Sequence, residues 1–189
     1  MISRNLSPAI VESLADSPVV FLQGARQTGK STLVQALDDV GYSAAYVTLD
    51  DATVRAAAEA DPQAFVNGLS APVIIDEVQR APDLALAIKA AVDADRTPGR
   101  FLLTGSANAM VLPALSEALV GRLELHTLWP FSQGELAGHR ETFVDEVFET
   151  EPPGWTCEPI AWSDMLDRMV RGGYPEAVRR RRADRRDAW

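Results

Sequence analysis

The sequence predicts an α/β fold: a five-stranded, mostly parallel sheet with helices on both faces, plus a small helical C-terminal segment. Three observations carry this prediction. Five short apolar or β-branched runs start at residues 19, 45, 73, 101 and 122, the first four about 27 residues apart, close to the length of one strand-and-helix unit. The segments between them read as helices, and regular alternation of strand and helix argues for a parallel sheet. Finally, Val73-Ile74-Ile75 is apolar without alternation, as expected of a strand covered on both faces.

Taken in order, Ser7-Pro8 opens a first helix, Ser serving as a good N-cap and Pro suiting the first turn. Ile10, Val11 and Leu14 give it an apolar stripe. Val19 to Leu22 is the first strand, and Thr32 to Leu37 lies in an amphipathic helix that Gly41 stops. Ala45 to Leu49 is the second strand, ending at Asp50-Asp51. Residues 52–69 are helical, restarted at Asp61-Pro62, and Val73 to Glu77 is the third strand. A helix over 83–95 leads to the turn Thr97-Pro98-Gly99 and to the fourth strand, Phe101 to Thr104. A helix over 109–119 precedes the fifth strand, Arg122 to Leu128. Ser132 caps a short helix over 132–137, residues 139–160 form a linker, and 163–170 and 176–189 are helices separated by Gly172-Gly173-Tyr174-Pro175.

The composition suits one compact domain with a small appendage: 189 residues, 47% hydrophobic and 24% charged. No apolar run is long enough to span a bilayer, and residues 1–15 lack the apolar centre of a signal peptide. Both features point to a cytoplasmic protein. The single cysteine, Cys157, allows no internal disulfide, and no histidine pattern accompanies it. The net charge of −9 is unevenly spread: Arg179 to Arg182, Arg185 and Arg186 outweigh three acidic residues after position 175, so the body carries −12. An acidic body disfavours broad binding to a phosphate backbone. The arginine cluster reads either as a nucleic-acid patch or as the solvated face of a helix.

The chemistry centres on Gly24-Ala25-Arg26-Gln27-Thr28-Gly29-Lys30-Ser31, followed by Thr32. This stretch matches G-x-x-x-x-G-K-[ST], the phosphate-binding loop, and it stands in the confirming context of strand, loop and helix. Glycines let the backbone curl so that successive N–H groups face an anion. Lys30 reaches the β- and γ-phosphates, and the Ser31 hydroxyl holds Mg²⁺. Asp76-Glu77 at the tip of the third strand is the second half of the site. Asp76 suits Mg²⁺, and Glu77 suits the orientation of attacking water. Thr104, with Ser106 and Asn108 as rivals, is a sensor of the γ-phosphate or a helix cap. Arg122 is either a finger on the transferred phosphoryl group, in cis or from a neighbour, or half of a surface ion pair. His126 and His139 have no metal-ligand spacing. Trp129, Trp155, Trp162 and Trp189 read as packing residues. In parallel sheets, ligands bind at the carboxyl ends of the strands, where Gly24, Asp50, Asp76 and Thr104 all fall.

The set GARQTGKST, VIIDEVQ, LLTGSAN, Gly121-Arg122 ahead of WPFSQGEL, and GGYPE resembles the prokaryotic AAA+-type P-loop ATPases that carry a C-terminal domain of unknown function. The resemblance covers about residues 2–189. It implies that Gly24 to Thr32 bind ATP, that Ser31 and Asp76 serve Mg²⁺, that Glu77 positions the hydrolytic water, that Thr104 is the sensor and that Arg122 is the finger. It also implies a P-loop domain over 1–138 and, over 161–189, the start of a helical domain cut short, since such proteins continue well past the basic helix.

The leading expectation is Mg²⁺-dependent ATP hydrolysis coupled to a conformational change on a protein or DNA partner, with Arg122 acting in trans if the chain oligomerises. The alternatives are a nucleotide-gated binding module with negligible turnover and a P-loop kinase for a small molecule. The kinase would need a basic lid, and none is evident. No base-reading motif decides between ATP and GTP.

Overall fold

The computed structural model describes residues 2–106, 117–148 and 159–180, apart from the side chain of Asp145. The chain falls into two compact units, Leu6–Leu128 and Met1–Asn5 with Trp129–Trp189.

The larger unit contains strands β1 (Val19–Gly24), β2 (Ala45–Thr48), β3 (Val73–Asp76), β4 (Phe101–Ser106) and β5 (Leu123–Leu128). Its helices are α1 (Ser7–Asp16), α2 (Lys30–Gln35), α3 (Ala52–Ala60), α4 (Pro62–Gly68) and α5 (Leu84–Ala94). The strands form one sheet in the order β2-β3-β4-β1-β5, and every pairing is parallel. β4 therefore lies between β1 and β3.

Alternation along the strands builds a core on each face. Val19, Phe21, Val73, Ile75, Phe101 and Leu103 pack with Ala58, Val66, Leu84, Ile88 and Val92 from α3, α4 and α5. Val20, Leu22, Ile74 and Leu102 pack with Ile10 and Leu14 of α1 and with Leu33 and Val34 of α2. Each of the Val, Leu, Ile and Phe side chains among them, fully buried, contributes roughly 1.5–3 kcal/mol. These two layers hold the strand tips rigidly in register, which is what a site spread over several strands requires.

The helix termini mostly follow local chemistry. The Asp51 carboxylate accepts from Thr53 N at 2.7 Å and Val54 N at 3.2 Å to start α3. Asp61 accepts from Ala64 N at 2.9 Å to start α4. α2 tightens into a 3₁₀ turn over Ala36–Val40, and Gly41 ends it with φ 98°. At α1 the local expectation fails. Leu6 holds the cap position, Ser7 is already helical, and no side-chain cap forms. Pro8 in the first turn and the burial of Ile10 and Leu14 start this helix without one.

The second unit contains α6 (Gln133–Ala137), α7 (Phe143–Val147), α8 (Trp162–Arg171) and α9 (Pro175–Arg179). Ser132 and Glu135 form a reciprocal capping box at α6. α7 lies in the acidic stretch where sequence periodicity is weak. Trp129 and Trp162 correct the packing expectation: they are 73% and 69% exposed. Trp162 begins an apolar stripe on α8 that it shares with the exposed Met169 and Val170. Asn108, Trp155, Cys157, Trp189, Arg181, Arg182, Arg185 and Arg186 lie outside the described residues, as do most of the helix expected over 109–119 and the last part of the terminal one. Among the described residues no helix is long and apolar enough to cross a membrane.

Candidate functional site

The backbone turns sharply at the end of β1. A Cβ on Gly24 would lie 2.5 Å from the Leu128 carbonyl oxygen and 3.1 Å from Thr28 Oγ1, so the position has room only for glycine. The loop then passes through two left-handed residues, Gln27 with φ 65° and Gly29 with φ 95°. The buried Thr28 hydroxyl donates to the Ala25 carbonyl at 2.9 Å and pins the curl. The helical ladder of α2 begins with Leu33 N donating to Gly29 O at 2.9 Å. The earlier N–H groups of a first helical turn have no helical acceptor. A curled loop running into such a turn suits an anion.

Lys30 is the cation of this loop, and its side chain is buried. Its Nζ donates to the carbonyls of Gly24 at 3.2 Å and Ala25 at 3.0 Å. Burial pushes its pKa below the ordinary lysine value, and the charges of Glu77 and then Asp76 partly oppose that shift. The ammonium therefore stands in a low-dielectric site close to two carboxylates.

Asp76 is the hub opposite. Ser31 Oγ donates to its Oδ1 at 3.1 Å and its Oδ2 at 2.9 Å. Thr104 donates to Oδ1, and the Tyr46 hydroxyl donates to Oδ2 at 2.7 Å. Three hydroxyls from α2, β4 and β2 thus converge on one buried carboxylate. Ser31 and Asp76 present hard oxygen donors side by side, a donor set that fits Mg²⁺.

Glu77 leaves the strand in a left-handed conformation, φ 59° and ψ 42°, before a 3₁₀ turn over Val78–Arg80. A non-glycine residue held there stores a modest strain. Its N–H donates to Thr104 Oγ1 at 3.2 Å, and its Oε2 accepts from the Gln79 amide. Thr104 is fully buried. It pairs in register with Leu22 of β1, so this one hydroxyl stands between the loop-bearing strand and the Asp76-Glu77 strand.

Lys30, Ser31, Asp76, Glu77 and Thr104 are therefore brought together. Ala25, Arg26, Gln27 and Thr32 lie exposed on the loop and first turn, and Ser106 ends β4 opposite Gly24. Asp50 points elsewhere, to Arg80 at 2.6 Å. Arg122 is not in this cluster. It precedes β5, whose first residue, Leu123, pairs with Val19 at the start of β1. A strand of that length puts it roughly 17 Å from the loop end of the sheet. There its Nη2 pairs with Asp93 at 2.6 Å.

Sequence reasoning missed Tyr46 and Gln79. Gln79 stands inside the VIIDEVQ stretch, but nothing local assigns it a partner. A tyrosine in a strand reads as ordinary β-propensity, and only the register of β2 on β3 turns Tyr46 toward Asp76.

An AAA domain model matches residues 16–137. Uncharacterized proteins of Mycobacterium tuberculosis and Mycobacterium bovis are each 34% identical over 188 residues. The match covers 98% of this chain but only 36% of each of them, so the chain spans about a third of the length of these relatives. Among solved structures, AMPPCP-bound DnaA from Aquifex aeolicus is similar in fold, with a TM-score of 0.51 and 14% identity over 90% of this chain and 56% of that one. The family match spans the whole sheet and the whole phosphate-loop motif, and on that ground the chain belongs to the AAA domain family, with the fold of a P-loop ATPase.

Proposed function

We propose that the protein binds ATP with Mg²⁺ and hydrolyses it, coupling turnover to a conformational change on a protein or DNA partner. One observation carries the reading: a buried lysine, a serine hydroxyl, a carboxylate pair and a buried threonine meet at the carboxyl ends of β1, β3 and β4. In this reading Gly24 to Thr32 wrap the phosphates. Lys30 exchanges its two carbonyl contacts for phosphate oxygens, a stronger partnership for a buried cation. Ser31 and Asp76 hold Mg²⁺, which neutralises charge on the β- and γ-phosphates when bound. Glu77 orients and deprotonates the attacking water. Thr104 keeps Glu77 and Asp76 in fixed relation and senses the γ-phosphate.

The Gln79 amide on Glu77 and the strained backbone there support a resting state of low basal turnover, released when a partner shifts the turn. Arg122 lies too far along the sheet to serve its own loop. Its role as a finger therefore requires a second copy of the chain. The structural relative that was solved with AMPPCP supports a triphosphate as ligand. A cytoplasmic location, where ATP and Mg²⁺ are abundant, goes with this reading.

The test uses two variants. Lys30→Ala should lose ATP binding by tenfold or more, given a charge-assisted contact of about 1.5–3 kcal/mol. Glu77→Gln should keep binding and lose phosphate release by about 10²–10⁴-fold, the usual contribution of general-base catalysis. Negligible phosphate release by wild type, unchanged in Glu77→Gln, would leave only the binding-module reading.

A further inference from the structure

We propose that Tyr46 is a positioning residue for the cation half of the site, holding the Asp76 carboxylate from the β2 side as Thr104 holds it from the β4 side. This inference rests on the ATP and Mg²⁺ reading above.

Register explains how the contact arises. Thr48 pairs with Asp76, and Tyr46 pairs with Ile74. Residues 46, 48, 74 and 76 therefore point to one face, the face on which Ile74 packs with Leu33 and Val34 of α2. Ser31 is on that same helix. From two residues back along β2, only a long side chain reaches the strand tip, and the Tyr46 hydroxyl does so at 2.7 Å from Oδ2.

The two tethers divide the labour. Thr104 takes Oδ1 and Tyr46 takes Oδ2. With one donor on each oxygen, the carboxylate cannot rotate about its Cβ–Cγ bond. Ser31 touches both oxygens, so it does not select an orientation. Its proton can remain on Asp76 while its lone pairs turn to a cation. A tyrosine on an edge strand thus ties β2 to the carboxylate at the tip of β3.

The experiment titrates a fluorescent ATP analogue into the full chain, as wild type, Tyr46→Phe, Asp76→Asn and the double variant, with Mg²⁺ and with EDTA. Wild type should bind more tightly with Mg²⁺. Tyr46→Phe should match wild type in EDTA within twofold. It should lose about tenfold of the Mg²⁺-dependent gain, the size of one hydrogen bond to a charged group. In the Asp76→Asn background, Tyr46→Phe should change nothing further.

A wild type indifferent to Mg²⁺ would overturn the nucleotide-site reading itself, and this proposal with it. A Mg²⁺-responsive wild type matched by Tyr46→Phe would overturn the tether alone. Equal weakening of Tyr46→Phe with and without Mg²⁺, or a further loss in the Asp76→Asn background, would make Tyr46 a packing residue and overturn it too.

Discussion

At the scale of single residues, the site depends on a few positions where no other side chain fits. Gly24 is the clearest. An added methyl would meet the Leu128 carbonyl at 2.5 Å, and that carbonyl belongs to the neighbouring strand, so neither side can yield alone. Gly24→Ala should destabilise the fold by about 1–3 kcal/mol, the usual cost of overpacking, and weaken nucleotide binding as well. Denaturant melts and ATP titrations of the one variant check both effects. Glu77 is the counterpart. Its φ of 59° suits glycine better, and its Gln79 and Thr104 contacts hold it there. The motif letters named Glu77 and Thr104, but not that backbone angle or the Gln79 clamp. Both belong to the turn by which the chain leaves β3, which no local preference encodes.

Among elements, α6 shows how one acid serves several masters. Glu135 accepts from the Ser132 backbone at 3.1 Å and from Asn5 N at 2.7 Å. It also lies 3.5 Å from Arg4, both side chains being more than nine-tenths buried. Arg4 stacks over the Phe131 ring at 4.3 Å and donates to the Trp129 carbonyl. Burial lowers the Arg4 pKa, opposed by Glu135, so this guanidinium depends on its partner. Ser132→Ala should cost about 1 kcal/mol, the value of a cap. Glu135→Ala should cost about 3–5 kcal/mol, because it strands a buried charge. Paired urea denaturation curves decide whether the second loss exceeds the first. The Ser132 cap was legible from sequence, since capping is local. The Arg4 pairing was not, because its partners lie 125 and more residues away. The same limit explains Ser7 and Trp162. Burial of Ile10 and Leu14 starts α1 without a cap, and exposure of a tryptophan depends on what packs over it.

For the whole molecule, the alternation of strand and helix gave the parallel sheet, its two-faced core and strand starts within a residue of those observed. The lateral order was not legible, because every parallel order satisfies the same local patterns. That order places β4 between the loop strand and the acidic strand and puts Arg122 at the far edge. If Arg122 serves a neighbouring loop, Lys30→Ala and Arg122→Ala should each be inactive alone and regain phosphate release when mixed. Each assembly would then contain some junctions with an intact loop facing an intact arginine. Failure of the mixture to recover, with both variants folded, would leave Arg122 as the partner of Asp93 only.

The interposed β4 has a mechanical consequence. Ser31 reaches Asp76 across a strand to which neither belongs, so the contact works as a cross-stitch over a seam. Thr104 of β4 donates to the same carboxylate, so the interposed strand is fastened to the stitch as well. The span between the two halves of the pocket is about two strand spacings, close to 10 Å. The borders of the sheet, β2 and β5, lie one strand beyond that seam on either side.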